Sequence, residues 1–176
     1  MSEIQGLDSL LKKLESMDSQ ITDYLFKSVA RETKVVQADA KNNCPVNHGE
    51  LKASIVAEVS TTKDGVIGIV RTNKEYAAHV EFGTGPVGQA NHEGTSPHVN
   101  RAYSQKGWAF PASKVSAADA SQYKWPKRTY GGKDYYVTSG QRAQPFMYPA
   151  LKNRESAAKK NIKKDMNEFL KGYSIK

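Results

Sequence analysis

The sequence has a single cysteine, Cys44, no long hydrophobic run and few large aliphatic residues. A lone cysteine excludes an internal disulfide and half of a thiolate zinc site, and such a thiol is expected to be buried and inert. No stretch approaches the roughly 20 apolar residues of a membrane-spanning helix. The N-terminal MSEIQGLDSL has neither the basic region nor the apolar core of a secretory signal. We therefore expect a soluble, non-exported chain that makes no membrane contact.

Large aliphatic and phenylalanine residues are scarce in the middle of the chain. Leu, Ile, Val and Phe account for 33 of the 176 residues, and only five of these lie in residues 86–140, which hold no Met. At this share of Leu, Ile, Val and Phe, a strongly charged chain begins to lack enough apolar side chains for a core. The length of the chain suits one domain. We predict a single domain over residues 1–176, with its core at the two ends and a long flexible or interface loop at residues 86–140.

Basic residues outnumber acidic ones, and the excess lies towards the C-terminus. The formal net charge is +8, composed of −2 in residues 1–83, +4 in residues 84–140 and +6 in residues 141–176. Such an excess attracts either nucleic acid or an acidic protein surface through long-range fields. Charge alone does not distinguish these two partners.

Apolar residues recur every three or four positions from Ile4 to Ala40, which predicts a long amphipathic N-terminal helix over residues 3–43. Asp18 and Ser19 offer a second N-cap, so a break or kink is expected near residues 17–20. The residues before Pro45 end the helix.

The next segments predict a small antiparallel sheet. Residues 51–60 alternate apolar and polar side chains, and residues 66–72 are rich in β-branched residues, with a Lys-Asp-Gly turn between them. This pattern is typical of a β-hairpin. KDYYVTS (133–139) has the propensity to join it as a third strand, KGWAFPA (106–112) is another short candidate strand, and residues 76–82 favour a helix over a strand.

The last segment returns to helical spacing. Apolar residues from Leu151 to Tyr173 lie on one predicted face of a helix over residues 150–171, and Gly172 follows as the expected C-cap. Lysines at the flank and back of this face would form a basic ridge. The fold class is therefore α+β, with a long N-terminal helix, a hairpin plus a third strand, a C-terminal helix and a long extended loop insertion.

Residue types of catalytic, cofactor and metal sites are present without the required arrangement. Gly83, Gly85 and Gly88 spell GxGxxG, but Pro86 interrupts the motif and no helical pattern follows, so a flexible exit from a short ordered segment explains these glycines better than nucleotide binding. The four histidines are scattered, and no HExxH or GxSxG motif occurs. We predict that the protein is not an enzyme and has no cofactor or metal.

Aromatic and basic residues are interleaved between residues 101 and 136. This composition suits a protein interface and also a surface that binds single-stranded nucleic acid; we favour a protein partner. The candidate residues that face a partner or DNA, in this segment and on the last helix, are Arg101, Trp108, Trp125, Lys127, Arg128, Lys159, Lys160, Lys163 and Lys164.

Three blocks, CPVNHGELKASI, YAAHVEFGTG and QPFMYPAL, follow one another in this order along the chain. Together the blocks resemble the bacteriophage neck and tail-component family typified by gene product ten of the Hong Kong 97 phage. The residues that match this family as scaffold positions are Pro45, Gly49, Leu51, Tyr76, Glu81, Phe82, Gly83, Thr84, Gln144, Pro145, Phe146 and Pro149. A charge beside a core aromatic needs a partner, so we expect Glu81 to cap a helix or to pair with a basic residue of the same or an adjacent subunit.

The resemblance implies a non-enzymatic virion structural protein of the head–tail junction or tail end, encoded by a phage or prophage. It implies ring assembly, with a hexamer as one option, in the neck or tail of a virion that is assembled in the host bacterial cytoplasm. The implied partners are the head connector or stopper and the tail terminator or tail tube proteins, with transient contact to packaged DNA. A basic nucleic-acid-binding accessory protein remains the alternative.

Overall fold

The computed structural model of the chain describes residues 7–172, with side chains from residue 12 onwards except for residue 13. These residues form two compact units, one of residues up to 73 together with residues from 149 on, the other of residues 74–148. The largest fully buried side chains are Ile55, in the first unit, and Phe146, in the second. Helices and small antiparallel sheets alternate along the chain, which confirms the α+β fold class.

The N-terminal helix, α1, runs without interruption over Leu7–Asn43; its predicted start at residue 3 lies outside the described residues. No break occurs near residues 17–20, where a break or kink was expected. Sharp kinks come from proline, glycine pairs or inserted groups, and α1 contains neither proline nor glycine. Asp18 and Ser19 each cost only up to about 0.7 kcal/mol inside a helix, which is too little to break it.

The C-terminal helix, α6 (Met147–Lys171), packs antiparallel to α1 in the first unit. The contacting pairs, from one end to the other, are Asp39–Arg154, Glu32–Asn161, Ser28–Asp165 and Tyr24–Phe169. Successive pairs advance by seven, four and four residues along both helices, which is the helical repeat of one face. The helix ends at Lys171 as predicted and begins three residues earlier than expected; Tyr173 lies outside the described residues.

Much of this helix–helix contact is polar. The Ser28 hydroxyl donates to Asp165 at 2.5 Å, and Arg31 donates to the same carboxylate at 2.7 Å. These two donors hold the pKa of Asp165 below its ordinary value, with the Ser28 hydrogen bond the larger cause. Ser28 and Glu32 are both buried. The contact therefore has a defined register as well as apolar packing.

The hairpin forms as predicted, but its first strand is shorter. Residues 51–54 belong to a short helix, α2 (Glu50–Ser54), and strand β1 is Val56–Thr62, paired antiparallel with β2 (Gly65–Arg71). Gly49 adopts a positive φ of 81° before α2, and Glu, Leu, Lys and Ala are good helix formers. Local helix propensity at these residues therefore outweighs their apolar alternation.

Gly68 in β2 lets the hairpin lie directly on α1. A Cβ at Gly68 would lie 1.9 Å from Oγ1 of Thr33 and 3.2 Å from Cγ1 of Val29. No side chain fits at that distance, so the sheet and helix approach closely only because this residue is glycine.

The second unit contains more regular structure than the sequence predicts. Its elements are α3 (Ala77–Phe82), α4 (Gly85–Ala90), β3 (Trp108–Pro111), a 3-10 turn (Ala112–Lys114), α5 (Ala117–Gln122), β4 (Lys127–Tyr130) and β5 (Lys133–Thr138). The helix predicted at residues 76–82 is confirmed as α3. Residues 86–140 are therefore not an extended loop. Aromatic rings replace the missing aliphatic side chains there, with Phe110 packed edge-to-face on Trp125 at 5.0 Å.

The predicted third strand forms, but it does not join the hairpin. Strand β5 lies between β3 and β4 in a separate three-stranded antiparallel sheet. The turn between β4 and β5 contains Gly131 and Gly132, both with positive φ, which is the chemistry of a tight hairpin turn. On the other side Phe110 faces Tyr136. Local turn chemistry and aromatic cross-strand pairing therefore give β5 nearer partners than β1 or β2.

Candidate functional site

The second and third sequence blocks are joined in the second unit by backbone hydrogen bonds. Thr84 and Gln141 exchange N–H···O bonds of 2.9 and 3.2 Å, and the Gln144 N–H donates to the Val80 carbonyl at 2.8 Å. The Gln141 side chain donates to the His79 carbonyl at 2.9 Å. Two segments about sixty residues apart in the sequence therefore form one structural element.

Glu81 caps the N-terminus of α6. Its carboxylate accepts three backbone N–H groups, from Phe146 at 2.7 Å, Met147 at 2.9 Å and Tyr148 at 3.0 Å. The N–H groups at a helix start have no partner within the helix and favour a negative charge. The first turn of α6 carries no acidic residue of its own, so Glu81 supplies that charge from α3. The predicted helix-capping role of Glu81 is confirmed.

The glycines of the GxGxxG match are packing positions. A Cβ at Gly83 would lie 2.7 Å from the Ala143 nitrogen, and one at Gly88 would lie 2.7 Å from the Gly83 carbonyl carbon. Gly85 has a φ of +60°, with the Ser139 carbonyl oxygen 2.6 Å from the position of its Cβ. The expected flexible exit is therefore wrong, because these residues are glycine where one backbone segment packs against another.

A groove in the second unit collects aromatic side chains that are distant in sequence. Its volume is about 710 Å³, and Trp108, Phe110, Tyr123 and Trp125 line it. Tyr123 stacks on Trp125 with ring centroids 4.9 Å apart. Arg142 adds a guanidinium to the lining, and Trp108 is 41% exposed. We call this feature, defined by these five residues, the aromatic groove.

The candidate basic residues of this unit do not converge on the aromatic groove. Arg101 lies over the Phe82 ring, 5.4 Å from its centroid, and donates to Thr95. Lys127 pairs with Asp134 at 2.6 Å, and this contact raises the pKa of the lysine. Arg128 is the next residue of β4, so it lies on the opposite face of the sheet.

Arg128 shares its sheet face with other basic and aromatic residues. Arg128 faces Tyr135, and two residues further along β4, on the same face, Tyr130 faces Lys133. The rings of Tyr130 and Tyr135 lie 6.1 Å apart, and Tyr130 is 60% exposed. This face of the β4–β5 hairpin therefore presents two cations and two tyrosines.

The lysine ridge of α6 is partly neutralised by the helix itself. Glu155 accepts from Lys159 at 2.6 Å and from Lys152 at 3.2 Å, and these contacts, Lys159 first, lower its pKa. Lys164 lies 3.8 Å from Glu168. Lys160 and Lys163 are exposed and have no ion pair with any described residue.

The scaffold residues divide between the two units. Pro45, Gly49 and Leu51 lie in the first, where Leu51 is buried, and the second sequence block lies in the second. Phe146 is fully buried, whereas Tyr76 is 43% exposed. Five residues with close packing contacts or places in the groove were not candidates from the sequence: Gly68, Phe110, Tyr123, Gly140 and Arg142. Their only sequence signals were glycine within a strand pattern and the aromatic composition of the middle segment.

No cluster of three or more His, Cys, Asp or Glu side chains within residues 7–172 is arranged to hold a metal ion. No helix in this same range is long and apolar enough to cross a membrane.

Comparison with known proteins identifies one family. No curated protein and no solved structure has significant similarity to the chain. Residues 8–83 match the family described as "Bacteriophage HK97-gp10, putative tail-component". This segment covers the first block and most of the second, while the third, from Gln144 on, lies outside it. The match confirms the resemblance inferred from the sequence: over residues 8–83 the chain is similar to this phage tail-component family.

Proposed function

We propose that the protein is a non-enzymatic structural component of the phage head–tail junction or tail end, where it completes the tail or joins it to the head. The family match over residues 8–83 carries this proposal. Residues 1–176 would act as one domain in a ring, for example a hexamer, within the neck or tail of the virion. The partners would be the head connector or stopper on one side and the tail terminator or tail tube on the other.

The aromatic groove supports contact with another virion protein. Exposed tryptophan and tyrosine with a nearby arginine are the residue types that act as anchors at protein interfaces. Trp108 is exposed at the groove, and Arg142 lies in its lining without an ion pair among the described residues. We assign to this groove the binding of a polypeptide segment of a neighbouring virion protein.

The deciding experiment removes this gene from the phage or prophage that encodes it and images the particles by negative stain. The proposal expects filled heads and tails that are separate or incomplete, with joining restored by the intact gene in trans. Normal joined particles from the deletion strain would contradict it. Trp108→Ala, supplied in trans, is expected to restore joining less well than the wild-type chain.

The second candidate is a nucleic-acid-binding accessory protein. It is favoured by Lys160 and Lys163, which are exposed and form no ion pair with another residue in the described part of the chain. It requires DNA affinity that falls steeply with salt. Lys159 and Lys164 already pair with acidic neighbours on the same helix. If the protein has the structural role, we therefore expect it to bind DNA only weakly. Replacing Lys160 and Lys163 by glutamine and measuring the salt dependence of DNA binding distinguishes the two.

A further inference from the structure

The β1–β2 hairpin has an uncovered outer face. Its inner face packs on α1, where Gly68 allows close approach. The register places Val56, Glu58, Ile67, Ile69 and Arg71 on the opposite face. Val56 is 38% exposed, Ile67 47% and Ile69 46%. Three partly exposed β-branched aliphatic side chains on one face of the sheet form an exposed apolar patch, and such a patch marks an interaction surface.

The outer edges of both strands are also open. Neither β1 nor β2 has a second strand beside it within residues 7–172, and no other backbone group there bonds to these edges. Strand β2 is seven residues long, GVIGIVR, with no proline and no charge before Arg71. Natural edge strands are usually protected by charge, proline or a bulge. An unprotected edge of this length is a template for another strand.

We propose that the β2 edge of one copy pairs with the β1 edge of the next, so that the partner is a second copy of this chain. This inference rests on the proposed ring. A closed ring needs two different, mutually complementary surfaces on each subunit, and the two open edges are such surfaces. Rotation about a ring axis keeps equivalent strands in similar directions. The new pair is therefore antiparallel, like β1 and β2 within the chain, which is the more stable arrangement.

The charges of the outer face are compatible with this pairing. Glu58 of β1 and Arg71 of β2 form an ion pair within one chain, with half-exposed side chains. In a continued sheet, the Arg71 edge meets a neighbouring strand that carries Glu58 on the same face, so opposite charges approach each other. Ile67 and Ile69 then gain neighbours on their uncovered side.

The first test is Ile67→Glu, with Leu151→Glu as the matched control. Leu151 is 57% exposed and belongs to α6, not to the hairpin. Because Ile67 is half exposed in the single chain and faces Ser60, the fold tolerates the change, as circular dichroism will verify. The dissociation constant of self-association, from light scattering and native mass spectrometry, should rise at least about tenfold, since apolar burial is lost and a charge is desolvated. The control should leave it unchanged.

The second test uses cross-linking of introduced cysteines. The native Cys44 is buried, so it does not compete with them for the cross-linker. Chains carrying Ser60→Cys on β1 and differently tagged chains carrying Ile67→Cys on β2 are mixed and treated with a short bis-maleimide. The proposal expects mixed cross-linked dimers to dominate. Cross-linked pairs of Ser60→Cys chains alone would instead indicate a twofold contact and overturn the proposal.

A chain that stays monomeric up to millimolar concentration, or oligomers that Ile67→Glu leaves intact, would also overturn it. A different result would refute the proposed function, namely normal joined particles from the gene-deletion strain. If the deletion abolishes head–tail joining while Ile67→Glu still assembles and restores it, the function stands and the sheet pairing is refuted.

Discussion

Replacing Glu81 by alanine removes the cap of α6 and leaves three backbone N–H groups without their acceptor. A side-chain cap at a helix start contributes about 0.5–2 kcal/mol. A hydrogen bond to a charged acceptor contributes about 1.5–3 kcal/mol. Glu81 is only 5% exposed and Phe146 is fully buried, so water replaces the carboxylate poorly. Since the three bonds share one carboxylate and are not additive, we expect a loss of about 2–4 kcal/mol in the free energy of unfolding.

Two variants make this measurement specific. Glu81→Gln keeps the shape and one carbonyl oxygen but turns an NH2 group towards the helix start, so its loss should be intermediate. Glu75→Ala is the matched control, because Glu75 is an exposed glutamate of the same unit, and a surface change of this kind costs within about 0.5 kcal/mol.

Urea unfolding followed by tryptophan fluorescence suits the question, because both tryptophans, Trp108 and Trp125, lie in the same unit as Glu81. Circular dichroism reports the helices in parallel. The reasoning is refuted if the free energies of unfolding of Glu81→Ala and Glu75→Ala differ by less than about 0.5 kcal/mol, the scatter of surface substitutions. The capping bonds would then contribute nothing measurable.

Gly140, Asp165 and Trp108 each give a further prediction. Gly140→Ala would place a Cβ 1.9 Å from the Thr84 carbonyl oxygen and should lower the melting temperature clearly more than Gly131→Ala, whose Cβ meets nothing within 4 Å. The pKa of Asp165 is lowered in the folded chain, so its ionised form contributes stability above the unfolded pKa of about 4. This contribution is lost as the pH falls through the folded pKa. Asp165→Asn should therefore reduce the dependence of the free energy of unfolding on pH between about 2 and 5, as measured by unfolding experiments. Trp108→Ala should reduce co-sedimentation of the folded chain with tail or connector protein. Because more than half of this side chain is buried, circular dichroism must first verify that the variant is folded under the assay conditions. Equal co-sedimentation would remove the groove from the interface.

Elements with a strong local signal were predicted well. The apolar repeats of α1 and α6 persist over many turns, so a helix was the only regular structure that would bury each stripe on one face. The proline and glycine at the two ends of α6 bracketed its limits to within three residues. The β1–β2 hairpin followed from a Lys-Asp-Gly turn between two strand patterns. The break expected in α1 and the strand expected at residues 51–54 were wrong. In α1 the weak local preference of two residues is outweighed by the stability of the whole helix.

The middle segment shows the opposite case. Its shortage of aliphatic residues suggested an extended loop, but residue counting underestimates aromatic side chains, which bury large areas each. Lys133–Thr138 was recognisable as a strand, whereas its partners were not, because pairing depends on which strands meet in space. Phe110 and Trp125 are fifteen residues apart, and no periodicity connects them.

The sequence by itself determined the two long helices, the hairpin, the basic C-terminal excess and the resemblance to a phage tail-component family, because each is a local or cumulative property of the chain. Only the tertiary structure decided that Glu81 caps a helix that begins 66 residues later, that Gly83, Gly85 and Gly88 are crowded, and that half of the ridge lysines are paired. Burial, hydrogen bonding and charge pairing are properties of distances, and distances between remote residues exist only once the chain has folded.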